Sequence, residues 1–105
     1  MPNKGVLTVA YKRDVQLDEG YYLTRHAEII ERVLVPLGLE RTEVRKIPPP
    51  ADSPAPPYQF IWSGYFPSVQ ALQEVLQNPA SGEVMGDIPN YYQGAPDIFV
   101  GEVLG

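Results

Sequence analysis

The sequence predicts an α+β domain, a four-stranded antiparallel sheet with two helices on one face, built in the order β-α-β-β-α-β. Three observations predict it. Two stretches, around residues 18–37 and 68–78, carry apolar residues at spacings of three and four, the mark of a helix with one buried face. Four short β-branched or aromatic runs alternate with them in the order of a split β-α-β unit. The chain has 105 residues. That length reads as a single domain over residues 1–105, one that buries roughly 65% of its unfolded surface, enough for one two-layer core.

Taken in order, Val6 to Tyr11 is an almost wholly apolar run between Gly5 and Lys12-Arg13-Asp14, and reads as a first, well-buried strand. Asp18 supplies an N-cap and Glu19 complements the dipole of the helix that follows. Tyr22, His26, Ile29, Ile30, Val33 and Leu37 form its inner stripe, with Arg25, Glu28, Glu31 and Arg32 mostly outside. Pro36 disfavours helical geometry at Val35, and Gly38 suits a C-terminal cap, so the helix ends or kinks there. Leu39 to Ile47 alternates well but carries much charge, which suits a strand at an edge or one that faces a partner.

The segment PPPADSPAPP, 48–57, cannot form a regular element and reads as a stiff surface connector. Tyr58 to Phe66, YQFIWSGYF, is the strongest strand signal. Its parity sets Tyr58, Phe60, Trp62 and Phe66 against Ile61 and Tyr65, and Gly64 marks a bulge or a close approach. Ser68 caps a helix whose inner stripe is Val69, Leu72, Val75 and Leu76, stopped by Asn78-Pro79. A further helical turn over 80–86, a polar-aromatic loop over 87–96 and a last strand from Asp97 to Leu104 complete the ferredoxin-like order. Nothing is left to cover the second face of the sheet, although both strand parities are apolar. The expected partner is a second copy of the chain, joined sheet to sheet as a homodimer.

Composition removes several chemistries. The chain has no cysteine and one histidine, which excludes disulfides and thiolate catalysis and speaks against a zinc site. A net charge of −5 argues against nucleic acid, and no apolar run approaches the roughly 20 residues of a membrane span. MPNKGVLTVAYKRD has too short an apolar stretch for a secretory signal. The expectation is a cytoplasmic domain without a cofactor.

The stretches DEGYYLTRHAEII, YQFIWSGYF followed by PSVQAL, and EVMGDIPNYYQGAPDIFVGEVL resemble the ethyl tert-butyl ether degradation (EthD) family of the dimeric α+β barrel superfamily. The similarity runs over roughly residues 6–104. It rests on a tyrosine pair four and five residues before a histidine, Tyr21 and Tyr22 before His26, and on GDIPNY, Gly86 to Tyr91. Members often carry His-x-Pro-Leu; here Ala27, Glu28 and Ile29 follow the histidine, which implies a straighter helix. The resemblance implies the fold and a dimer. Wider relatives include cofactor-independent monooxygenases, isomerases, and decarboxylases or dehydratases of aromatics, and fold alone does not choose among them.

His26 points from its stripe into the space between helix and sheet, either as a core residue or as a base. An imidazole titrates near pH ~6.5 and desolvation lowers that, so a neutral base at that position is competent. Tyr22, one turn earlier, is placed to bind a substrate oxygen or to fill volume. Asp87 and Asn90 in GDIPNYY are either turn chemistry or, with the loop folded over the site, a carboxylate that orients His26 and an amide that meets the ligand. Tyr21 is expected at the rim. Trp62, Ile29 and Tyr91 are the expected substrate-binding wall, with Tyr92 and Phe99 as further aromatic candidates. The candidate catalytic set is therefore His26, Tyr22 and Asp87, with no metal.

Two functions from different classes follow. One is a cofactor-independent enzyme moving a proton on a small hydrophobic or aromatic metabolite. The other is a non-catalytic dimeric binding or accessory protein of an oxidative degradation pathway, with an unliganded structural dimer as a third reading. They part on the cavity: an imidazole facing a solvent-connected pocket favours the enzyme, and one sealed among side chains favours the accessory protein.

Overall fold

A computed structural model describes residues 2–105. Strand β1 (Gly5–Lys12) lies at the centre, β3 (Tyr58–Phe66) and β4 (Asp97–Glu102) flank it, and β2 (Arg41–Lys46) extends the sheet beyond β3. The order is β2-β3-β1-β4 with every pairing antiparallel. The two charge-rich or short strands therefore hold the edges, as the alternation in LERTEVRKI predicts, and β2 is exposed along its whole length.

Between β1 and β2 the chain is helical: α1 (Glu19–Tyr21), a π-helical stretch (Tyr22–His26), α2 (Ala27–Leu34) and a 3-10 turn (Val35–Leu37) run on end to end. Asp18 accepts from the Tyr21 amide at 3.1 Å, and Gly38 closes the C-terminus at φ 119°, a left-handed conformation that favours glycine. The residues that follow His26, Ala27–Leu34, are regular α-helix. Within the π stretch Thr24 Oγ1 donates to the Gly20 carbonyl at 2.6 Å. Helix α3 (Val69–Gln77) starts at Ser68, whose hydroxyl accepts from the Ala71 amide at 3.0 Å, and a third helix, α4 (Gly82–Asp87), leads into the Ile88–Asn90 turn.

The helices cover one face of the sheet. Leu7, Val9, Tyr11, Phe60, Trp62 and Phe66 meet Tyr22, Ile30, Val33, Leu34, Leu72, Val75 and Val84 in a single core. Complete burial of a side chain such as Phe66 or Leu72 contributes about 1.5–3 kcal/mol. The helical layer is narrower than the sheet: Val44 on β2, and Ile98 and Val100 on β4, share the parity of this face yet stay exposed. Leu76, expected in the buried stripe, also lies at this margin and is partly exposed.

Two features of β3 depart from simple alternation. The register slips between Tyr11 and Lys12, so Gln59 is an extra residue and Tyr58 pairs with Lys12. This bulge turns Tyr58 to the uncovered face, where its hydroxyl donates to Asp97 at 2.7 Å, away from Phe60 and Trp62. At Gly64 the register is continuous, so the glycine serves close approach and no bulge. A Cβ there would lie 2.3 Å from the Trp62 ring, which lies across the bare backbone. The proline segment 48–57 is exposed, and Arg13 ties its two ends by donating to the carbonyls of Ile47, Pro56 and Tyr58 at 2.6–3.0 Å.

Candidate active site

His26 ends the π stretch and is buried against the sheet at 2% exposure. The Gly86-to-Tyr91 run folds back over this part of the helix and brings Asp87 to it: His26 Nδ1 stands 2.9 Å from Asp87 Oδ2. Asp87 Oδ1 accepts from the Tyr21 hydroxyl at 2.7 Å and from the Asn90 amide at 2.8 Å. Burial pushes the Asp87 carboxyl up, but these bonds outweigh it and hold it below the usual carboxylate range.

An ionised carboxylate only accepts, so Nδ1 carries the proton and Nε2 is left as an acceptor. Tyr91, in the loop, meets Nε2 with its hydroxyl at 3.1 Å. The Tyr91 oxygen in turn faces the Tyr11 hydroxyl on β1 at 2.6 Å. The polarity follows from one end: Tyr11 donates to Tyr91, Tyr91 to His26, and His26 to Asp87. Burial pushes the Tyr11 hydroxyl up to about 12 and the Tyr22 and Tyr91 hydroxyls higher still, so all three keep their protons. Burial also lowers the His26 imidazole below its ordinary value despite the Asp87 bond, which keeps it neutral and able to accept.

Tyr22 is stacked on His26 at 6.0 Å and edge-on to Tyr11 at 5.1 Å. Its hydroxyl is buried with no partner. An orphaned buried hydroxyl costs about 1–3 kcal/mol, and it stands at the open end of a relay in which every other member is bonded.

The space around the relay has two parts. A groove of about 320 Å³ runs where the first helix fails to cover β2 and is lined by Tyr22, Ala27, Ile30, Leu39, Val44 and Trp62 among others. Beside His26 lies a void of only about 20 Å³ among Leu7, Val9, Tyr11, Ile88 and neighbours, room for a water molecule and no guest. Ile30 and Trp62 line both spaces, so the wall between them is one side chain thick.

The sequence expectations thus fall out unevenly. Tyr22, His26 and Asp87 come together, and Trp62 lines the groove. The open hollow expected beside His26 is reduced to a narrow space of about 20 Å³. Asn90 spends its amide on Asp87, the Tyr91 hydroxyl belongs to the relay, and Ile29 is half-buried outside the groove, which Ile30 lines. Tyr21, expected at the rim, holds Asp87, and Phe99 lies exposed on the opposite sheet face. Tyr11 was legible only as a core strand residue. Among the described residues no three His, Asp or Glu side chains gather into a metal site, and no helix is long and apolar enough to cross a membrane.

No family model matches the sequence, and no curated protein matches it. Solved structures do match its fold. An EthD-like protein from Ralstonia eutropha JMP134 superposes with a TM-score of 0.81 over 100% of this chain and 96% of its own, at 23% identity. An EthD family protein from Bacillus halodurans C-125 gives 0.72 over 97% and 99% at 13% identity. A cofactor-independent oxygenase from Streptomyces nogalater gives 0.63 over 98% and 95% at 9% identity. The chain has the ferredoxin-like α+β fold and resembles EthD proteins in it.

Proposed function

We propose that the chain is an EthD-type, cofactor-independent acid–base enzyme, working as a homodimer on a small hydrophobic or aromatic, oxygen-bearing molecule. The observation that carries this reading is the one-way relay from Tyr11 through Tyr91 and His26 to an ionised Asp87, ending beside Tyr22 at the groove. The substrate lies in the groove on Trp62, Ala27 and Ile30. A side-chain shift at Ile30 lets it meet the Tyr22 hydroxyl. The Tyr22 hydroxyl has no partner in the resting structure; once it turns to the Tyr11 oxygen, a proton leaving the substrate passes to the Tyr22 oxygen as the Tyr22 proton moves to Tyr11, that of Tyr11 to Tyr91, and that of Tyr91 to Nε2. The result is an imidazolium paired with Asp87. Return of the proton to another substrate atom completes an isomerisation, and loss of a leaving group completes an elimination. Proton transfer of this kind is worth about 10²–10⁴ in rate, which suits an activated substrate. The fold of a cofactor-independent oxygenase, which this chain shares, is compatible with such chemistry.

One observation favours the second reading, a dimeric binding or accessory protein: His26 is sealed, and the space beside it is about 20 Å³. By the cavity criterion the imidazole itself sides with that reading, and the enzyme reading stands on the relay that carries its basicity out to Tyr22. The test is solvent deuterium exchange into a panel of enolisable aromatic ketones, phenols and aryl ethers, followed by NMR, with Trp62 fluorescence reporting occupancy of the groove. The enzyme accelerates exchange, and Tyr22→Phe lowers the acceleration by about 10²–10⁴ while leaving the fluorescence change intact. A fluorescence change with no exchange assigns the binding role. Neither response defeats both.

A further inference from the structure

We infer that Tyr91 is a one-electron redox site, a phenol that passes its proton to His26 as it gives up an electron. Oxidising a buried phenol is hard when its proton has nowhere to go. Tyr91 has somewhere: its hydroxyl donates to Nε2 of a neutral imidazole at 3.1 Å, and that imidazole is backed by Asp87 at 2.9 Å. The proton moves by one hydrogen bond, and the imidazolium is met by a carboxylate already in place. The phenoxyl oxygen left behind keeps the Tyr11 hydroxyl, 2.6 Å away, as a donor. At 2% exposure Tyr91 is also shielded from water and from other radicals.

The surroundings supply a way in. Tyr21 is half-buried at the surface, lies stacked on Tyr91 at 6.0 Å and 20°, and has its own proton acceptor in Asp87 at 2.7 Å. A one-electron oxidant of the oxyl or peroxyl radical class, or a high-potential metal complex, takes an electron from Tyr21 while its proton shifts to Asp87. Tyr91 then returns an electron to Tyr21, the proton on Asp87 goes back to the Tyr21 oxygen, and the Tyr91 proton goes to His26. The sum is Tyr91–OH, His26 and oxidant giving the Tyr91 phenoxyl radical, His26 imidazolium and reduced oxidant. The other tyrosines lack the imidazole: Tyr58 donates to the Asp97 carboxylate at 2.7 Å but is half-buried on the open face of the sheet. Tyr22 has no acceptor, and Tyr65 lies 4.0 Å under the Arg41 guanidinium, a cation that opposes an electron hole in the ring. The inference rests on the relay's geometry alone and does not need turnover.

The experiment photo-oxidises the protein with tris(bipyridyl)ruthenium(III) at neutral pH and follows the phenoxyl radical by transient absorption and electron paramagnetic resonance. The expected result is a long-lived signal that is replaced by a short-lived one from Tyr21 in Tyr91→Phe, a variant that keeps the ring and is checked for folding by circular dichroism. His26→Gln is expected to slow oxidation by about a hundredfold, the low end of what a positioned proton acceptor is worth. Should His26→Gln fail to fold, a slower wild-type rate in D2O carries the same information. A signal unchanged in Tyr91→Phe, or a rate indifferent to D2O, overturns the assignment. Tyr22→Phe separates the two ideas, because it should lower substrate exchange by about 10²–10⁴ yet leave the radical.

Discussion

His26 is held neutral in a site that also supplies it with a carboxylate, and the balance between burial and Asp87 has a consequence for stability. Burial is the larger influence and lowers the imidazole pKa in the folded state. The unfolded imidazole takes up a proton near pH 6.5. Between that pH and the lower folded value the unfolded chain binds the extra proton, so stability falls as pH falls, and the loss levels off below the folded pKa. The midpoint of thermal unfolding should therefore drop as the pH is taken below about 6.5, and His26→Gln should flatten that part of the profile. A second effect belongs to Asp87. Its depressed pKa contributes stability that is present above the ordinary carboxylate range and is lost as pH falls through the folded value, so it acts in a lower and separate window. Tyr91→Phe removes the donor to His26 and the acceptor for Tyr11 together. It should cost about 1–3 kcal/mol, the price of leaving buried polar groups unpaired, read as a shift in the urea midpoint with the slope unchanged.

At the level of elements, the strand and helix pattern was legible because each strand and helix shows its period over enough residues to be read. YQFIWSGYF became β3 to the residue, and Asp18, Gly38 and Ser68 cap where their chemistry says they should. What escaped reading was local and small. A π stretch has no composition of its own, and one skipped partner at Gln59 reverses Tyr58 without altering the sequence pattern. The candidate site was half legible for the same reason. Tyr22 and His26 share a helix and declare their common face by spacing. Tyr11 and Tyr91 meet across 80 residues, and no period connects a strand to a loop. Gly64 shows how an element shapes the site: it lets the Trp62 ring lie across β3 as the floor shared by groove and void. Gly64→Ala places a methyl within 2.3 Å of that ring, so Trp62 must lift. The expected outcome is a loss of about 1–3 kcal/mol from overpacking, with Trp62 emission shifted to the red as the indole gains solvent. Ile30→Ala acts on the same wall from the helix side. It should cost about 2–5 kcal/mol while merging the two spaces, so that small aromatic ligands bind more tightly as stability falls.

For the whole molecule, the uncovered sheet face is the unsolved half of the packing problem. Register places Val6, Thr8 and Ala10 of β1, Ile61, Ser63 and Tyr65 of β3, and Phe99 of β4 on it. Phe99 is 54% exposed, yet Ala10 and Ser63 between the larger side chains are already closed to solvent. The face therefore has an apolar rim around a centre of small residues, flanked on β2 by Arg41, Glu43 and Arg45. Four strands at about 4.8 Å spacing and six residues at about 3.3 Å rise give a surface roughly 19 by 20 Å. Before side-chain relief is added, that plane is about half of the about 800 Å² per partner of a standard stable complex. A two-fold pair stacked through this face would bury Phe99 and Tyr65 and leave the groove, on the opposite side of the sheet, open in both copies. The proposed dimer and the proposed site are thus separable. Phe99→Asp should bring an unpaired charge into the interface and convert the sedimentation coefficient from dimer to monomer. The Tyr91 relay and its pH signature should survive in the monomer, since no group of the relay lies on that face. A wild-type chain that sediments as a monomer at micromolar concentration would refute the sheet-to-sheet pairing, and an unchanged dimer in Phe99→Asp would move it to another surface.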